Sequence, residues 1–266
     1  MAKQPIGVFD SGIGGLTILR ALRRALPHEN FIYFGDTANV PYGGKSKAAV
    51  TRLSLAVAHF LQTKHVKLIV VACNTASAQA LPALRKQLRV PVLGVIVPGA
   101  QAASAATRNQ NIAVLGTRGT VESNAYVHAL KKCNKQLRVF QQACPLFVPL
   151  AEEGFARKPA AELIARQYLE PVQKCGADTV ILGCTHYPIL KSLLARILGP
   201  QITLVDSATT LAQAARDFLR QHQLAAQTGP GTLKLYASDD PQKFTCSARK
   251  LLGRSLKRAT LKKLNV

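Results

Sequence analysis

The chain of 266 residues is long enough to bury a substantial core and falls in the size range where one core often divides into two. Apolar residues make up 48% of it, yet no uninterrupted apolar run approaches ~18 residues, which excludes a membrane-spanning helix and reads as a globular protein. Thirty-five Lys and Arg against 13 Asp and Glu leave a charge of +22, a field that attracts anions generally. With 6% aromatic residues and no Trp, a base-stacking platform has little support, so nucleic acid is not an expected partner.

Short β-branched runs predict strands at 6–9, 31–34, 68–72, 92–96, 112–115, 139–143, 180–182, 202–205 and 233–236. The segment Met1 to Pro5 runs into the first of them with no charged-then-apolar leader. Helical patterns fall between most strands: 16–22, where Leu19 and Leu22 share a face; 76–88; and 189–198, with Pro188 as a first-turn proline. This alternation predicts an α/β fold of mainly parallel sheets flanked by helices. Nine strands exceed one small sheet, so two α/β domains are expected, 1–97 with 207–266 and 98–206. An internal echo agrees: Ser11 and Thr117 follow similar strands 106 residues apart, and Cys73 and Cys184 stand 111 apart. The expected site lies between two pseudo-symmetric halves.

Gly12-Ile13-Gly14-Gly15 opens the first helix, but Thr17 stands where a dinucleotide fingerprint needs its third glycine, and no GxxxxGK[ST] is present. What remains is Asp10 and Ser11 at a strand end beside glycines that permit close backbone approach. The loop 36–44 follows the second strand and could present the backbone amides of Tyr42 and Gly43 to a carboxylate. The six cysteines, Cys73, Cys133, Cys144, Cys175, Cys184 and Cys246, lack CxxC spacing, which speaks against a disulfide framework or structural zinc and for a reducing cytoplasm. At the carboxyl end, Lys243, Arg249, Lys250, Arg254, Lys257, Arg258, Lys262 and Lys263 meet no acid after Asp240; this reads as a solvated surface.

Two of the cysteines carry the chemistry. Ala72-Cys73-Asn74-Thr75 and Gly183-Cys184-Thr185-His186 each close a buried strand and open a helix. Open α/β sheets bind ligands at that end, and helix amides there stabilise a thiolate. Paired thiols suit an enzyme that works on both faces of one substrate, one removing a proton and the other returning it. No lysine stands at either strand end, so a pyridoxal Schiff base is not expected and the route is read as cofactor-free. A metal hydrolase using Cys73, Cys184 and His186 is the competing class; it would need a tetrahedral ligand set.

The stretch Gly7 to Gly15, Val40-Pro41-Tyr42-Gly43, Ala72-Cys73-Asn74-Thr75-Ala76, Leu182 to Pro188 and Leu204 to Ala208 together resemble the motifs of bacterial glutamate racemases. The resemblance covers nearly the whole chain. It implies cofactor-independent racemisation, with Cys73 removing the proton from D-glutamate and Cys184 from L-glutamate, and D-glutamate supplied to peptidoglycan in the cytoplasm. It further implies Asp10 and His186 as catalytic helpers that also bind substrate. Ser11, Asn74, Thr75, Thr185, Tyr42 and Gly43 are expected to bind the substrate, and no metal is expected. Thr117 and Thr120 are weaker candidates, and Glu152 is either a support for His186 or an exposed carboxylate at a helix start. A relative acting on aspartate or a hydantoin would share the two-thiol logic. A homodimer and a second role on DNA gyrase are the partner expectations carried by the resemblance.

Overall fold

Short, wholly buried runs form the central strands, as expected where helices cover both faces of a parallel sheet. β1 (Ile6–Asp10), β2 (Phe31–Gly35), β3 (Leu68–Val71) and β4 (Val92–Gly94) lie side by side. A second set, β5 (Asn111–Gly116), β6 (Arg138–Ala143), β7 (Thr179–Gly183) and β8 (Thr203–Asp206), forms its own sheet. The chain then returns to the first sheet with β9 (Leu233–Ala237) and β10 (Thr260–Leu261). In this computed structural model, residues 2–253 and 255–264 are described; the outer ends of the first expected domain, and Arg254 of the basic stretch, lie outside them.

The sheets are ordered β10-β9-β2-β1-β3-β4 and β6-β5-β7-β8. Every pairing is parallel. The run β2-β1-β3-β4 is therefore repeated in order by β6-β5-β7-β8, which explains the two similar sequence offsets. One apolar cluster bridges the sheets: Ile6, Val8 and Val70 from the first, and Ile112, Val114 and Ile181 from the second. Helices Leu16–Ala25, Ile96–Ala106 and Ser207–Gln221 contribute to it from between. Each outer face has its own cluster. Among the described residues no helix is long and apolar enough to cross a membrane.

Local differences from the sequence pattern have local causes. The helix expected at 76–88 is two, Asn74–Gln79 and Leu81–Gln87, broken at Ala80. Pro82 lacks an N–H and would crowd the carbonyl four residues earlier, so the helix restarts with the proline in its first turn. At 189–198 the first turn, Tyr187–Leu190, is a 3-10 helix holding Pro188, and the α-helix runs only over Lys191–Leu198. β4 stops at Gly94 because Ile96 already begins a helix. β10, two residues long and exposed, has too little pattern to be read from the sequence.

A buried ion pair fastens the segments that lead into β2 and β3 of the first sheet. Lys67 Nζ lies 2.6 Å from Glu29 Oε2, with side chains 1% and 2% exposed. The ammonium also donates to the carbonyls of Ala2 and Leu224, and Glu29 Oε1 accepts from Ala226 N–H. Removing one partner strands the other charge in the interior, so Lys67→Met is expected to cost about 3–5 kcal/mol in denaturant unfolding. Replacing both by apolar residues should recover much of that loss.

Candidate active site

Cys73 follows β3 after one intervening residue, Ala72, and is the N-cap of the helix Asn74–Gln79; its Sγ accepts from Ala76 N–H at 3.4 Å. Its thiol faces Ser11 Oγ at 3.9 Å, from the loop after β1. Cys184 follows β7 at the equivalent place in the second sheet. Its Sγ lies 3.8 Å from His186 Nδ1. Both sulfurs line one cavity of about 330 Å³, a volume in the range of small-molecule sites.

The same wall holds Ser11, Tyr42, Gly43, Asn74, Thr75, Thr185 and His186. Thr117 and Glu152 also line it, whereas Thr120 sits behind Thr117. Thr75 Oγ1 meets Thr117 Oγ1 at 2.8 Å across the two sheets. Asp10 is absent from the lining and fully buried behind it, with Oδ2 accepting Gly15 N–H at 2.7 Å and Oδ1 without a hydrogen-bond partner. Glu152 ends the helix Phe147–Glu152 rather than starting one, and this turns its carboxylate to His186 Nε2 at 3.0 Å. That contact is an ion pair without hydrogen-bond alignment. Of the remaining cysteines, Cys144 is buried, Cys175 half-buried, and Cys133 and Cys246 exposed.

The two thiols have different neighbours. Burial pushes the Cys73 thiol well above the ordinary cysteine range, and the carboxylate of Asp10 and the sulfur of Cys184 add to it; Ala76 N–H and Ser11 oppose. Burial alone would lower the pKa of His186. Its contacts with Cys184 and Glu152, with the charge of Asp10, outweigh that and raise it to about 10. Cys73 is thus held toward its protonated form, while the Cys184 sulfur has beside it a His186 held toward its charged form. Asp10 is itself raised by burial, against the charge of His186 and the backbone N–H groups of Gly15, Ser11 and Gly12.

Two supports had no signal in the sequence. Asp36, fully buried, accepts from Tyr42 O–H at 2.6 Å and from Ser238 O–H at 2.7 Å, tying the 36–44 loop to the returning segment after β9. Its partner Ser238 is 202 residues away, which no local pattern reveals. The apolar wall from Pro145, Val148 and Pro149 likewise carries no polar signature. Arg118, exposed at the start of the helix Arg118–Glu122, completes the rim.

Residues 7–215 match the Asp/Glu/Hydantoin racemase family. The chain is 49% identical over 257 residues to the glutamate racemase of Geobacter metallireducens, covering 96% of this chain and 95% of that one. It is similar to the structure of glutamate racemase from Thermus thermophilus in complex with β-chloro-D-alanine, at TM-score 0.89 and 46% identity over 98% of both chains. It is also similar to glutamate racemase from Francisella tularensis in complex with D-glutamate, at TM-score 0.92 and 35% identity over 99% of this chain and 98% of that one. With equivalent cysteines at the ends of equivalent strands and likeness over nearly its whole length, the chain belongs to the Asp/Glu/Hydantoin racemase family, among the glutamate racemases, isomerases that act on amino acids.

Proposed function

We propose that the protein interconverts L- and D-glutamate by a two-base mechanism in which Cys73 and Cys184 alternate as base and acid. The observation that carries this reading is the approach of both sulfurs to one cavity from two different sheets. From L-glutamate, Cys184 as thiolate takes the α-proton, and the Cys73 thiol donates its own to the opposite face of the carbanion-like centre. From D-glutamate the roles reverse. His186 holds a proton at Nδ1 facing Cys184, and Glu152 holds His186 in its charged form. Asn74, Thr75, Thr185 and Ser11, with the backbone amides of Tyr42 and Gly43, bind the charged ends of the amino acid; the buried carboxylate of Asp10 favours the substrate ammonium on the Cys73 side. Among the described residues no lysine lines the cavity, which leaves no amine there for a Schiff base.

The same reading divides the chain into two α/β domains, 1–97 with 207–266 and 98–206, that face each other across the site. It makes the protein a cytoplasmic source of D-glutamate for peptidoglycan. The test is turnover by the purified protein, without added cofactor, in heavy water on both enantiomers of glutamate and of aspartate. Glutamate should invert in both directions and gain one deuterium at Cα. No turnover of glutamate, or faster turnover of aspartate, would overturn the assignment, and inversion without deuterium uptake would overturn the mechanism.

A further inference from the structure

Tyr126 lies outside every motif of the sequence and outside the cavity wall, yet it is fully buried. It belongs to the helix Ala125–Cys133, on the second sheet's side of the molecule. Two glycines leave room for its ring: a Cβ on Gly99 would stand 3.4 Å from it, and one on Gly183, the residue before Cys184, 3.2 Å. From there the hydroxyl reaches across to the first half and donates to Asn74 Oδ1 at 2.8 Å.

Asn74 is the residue after Cys73 and lines the cavity. Its Nδ2 donates to Ser207 Oγ at 3.5 Å. Tyr126 and Ser207 thus hold the carboxamide from its two ends. A carboxamide has two N–H donors and one carbonyl. With Oδ1 held by Tyr126 and one N–H directed at Ser207, the polar group left over is the second N–H. A carboxamide turned over by a half rotation has almost the same shape, so packing alone does not choose between the two orientations. Without the phenol, Oδ1 would be as free as Nδ2 to face the cavity, and an oxygen there repels a carboxylate.

We infer that Tyr126 is a positioning residue that fixes the carboxamide of Asn74 so that it presents a donor to a substrate carboxylate. This rests on the glutamate reading above. Tyr126→Phe keeps the ring between the two glycines and removes only the hydroxyl. KM for both enantiomers should rise roughly five- to tenfold, the equivalent of one hydrogen bond, with kcat changed less than about twofold. Ser207→Ala, which removes the acceptor at the other end of the carboxamide, should shift KM in the same direction and decides the matter if Tyr126→Phe does not fold. In an Asn74→Ala background, Tyr126→Phe should add little, because the group it positions is gone. A merely structural role would lower the melting temperature and leave KM of the folded enzyme unchanged. That result in both variants, or a fully additive loss with Asn74→Ala, overturns the inference. Wild-type protein assayed alongside separates the two claims: no racemisation by the wild type counts against the functional reading, whereas wild-type turnover with unmoved KM in the variants counts against Tyr126 alone.

Discussion

Cys73→Ser and Cys184→Ser are each expected to lower kcat/KM for glutamate about 10³-fold or more, some 4 kcal/mol of transition-state stabilisation. A serine hydroxyl fits the space of the thiol but holds its proton far more tightly, so it fails as base when deprotonation is needed. The two enantiomers have equal free energy in water, so kcat/KM must remain equal in the two directions for every variant. The loss is therefore symmetric in kcat/KM even though the two thiols sit in different surroundings, and the asymmetry appears elsewhere. A variant that keeps Cys73 should still exchange the α-hydrogen of D-glutamate with heavy water while failing to invert it. One that keeps Cys184 should do the same with L-glutamate. Cys175→Ser is the control, since Cys175 Sγ donates to the Val172 carbonyl at the end of the helix Pro159–Lys174, away from the cavity wall. Near-normal inversion by Cys184→Ser would end the two-thiol mechanism.

The parts of this site that were legible in the sequence are those written locally. A buried run, a cysteine and a helix start occur within ten residues at Cys73 and again at Cys184, and parallel-sheet geometry converts that pattern into a position at the strand end. The motif neighbours Asn74, Thr75, Thr185 and His186 came with them. What escaped is non-local. Asp36 matters because Ser238 reaches it, and Tyr126 because Asn74 does, across 202 and 52 residues respectively. Glu152 could be weighed but not decided: its role depends on the helix Phe147–Glu152 ending, not starting, at that residue. Helix breaks at Ala80 and Leu190 reflect where Pro82 and Pro188 fall relative to the first turn, a matter of a residue or two that periodicity does not resolve. The two-residue β10 pairs with Tyr236 and Ala237 and has no room for any alternation at all.

His186→Gln should lower kcat/KM by about 10²-fold in both directions, within the range of a lost general acid. The imidazole is held as a cation by its surroundings: Cys184 on its Nδ1 side, the carboxylate of Glu152 at Nε2, and the charge of buried Asp10, together raising its pKa to about 10 despite burial. Glutamine retains a donor of similar reach toward Cys184 but carries no charge and cannot give up its proton. The pH dependence follows from the sign of the shift. A folded pKa raised above the ordinary 6.5 means that protonation favours the native state, so the stability this contributes is complete below about pH 6.5 and is lost as pH climbs to about 10. Unfolding measured between those limits should therefore weaken more steeply with pH in the wild type than in His186→Gln. In turnover, the wild-type rate should fall on the alkaline side as His186 loses its proton near pH 10, and that limb should be missing from the variant. Glu152→Gln tests the same cation from its other side: by removing the carboxylate it should lower the His186 pKa and move the alkaline limb toward neutrality while leaving the imidazole in place. An alkaline limb unmoved by either substitution would show that His186 is not the proton donor facing Cys184.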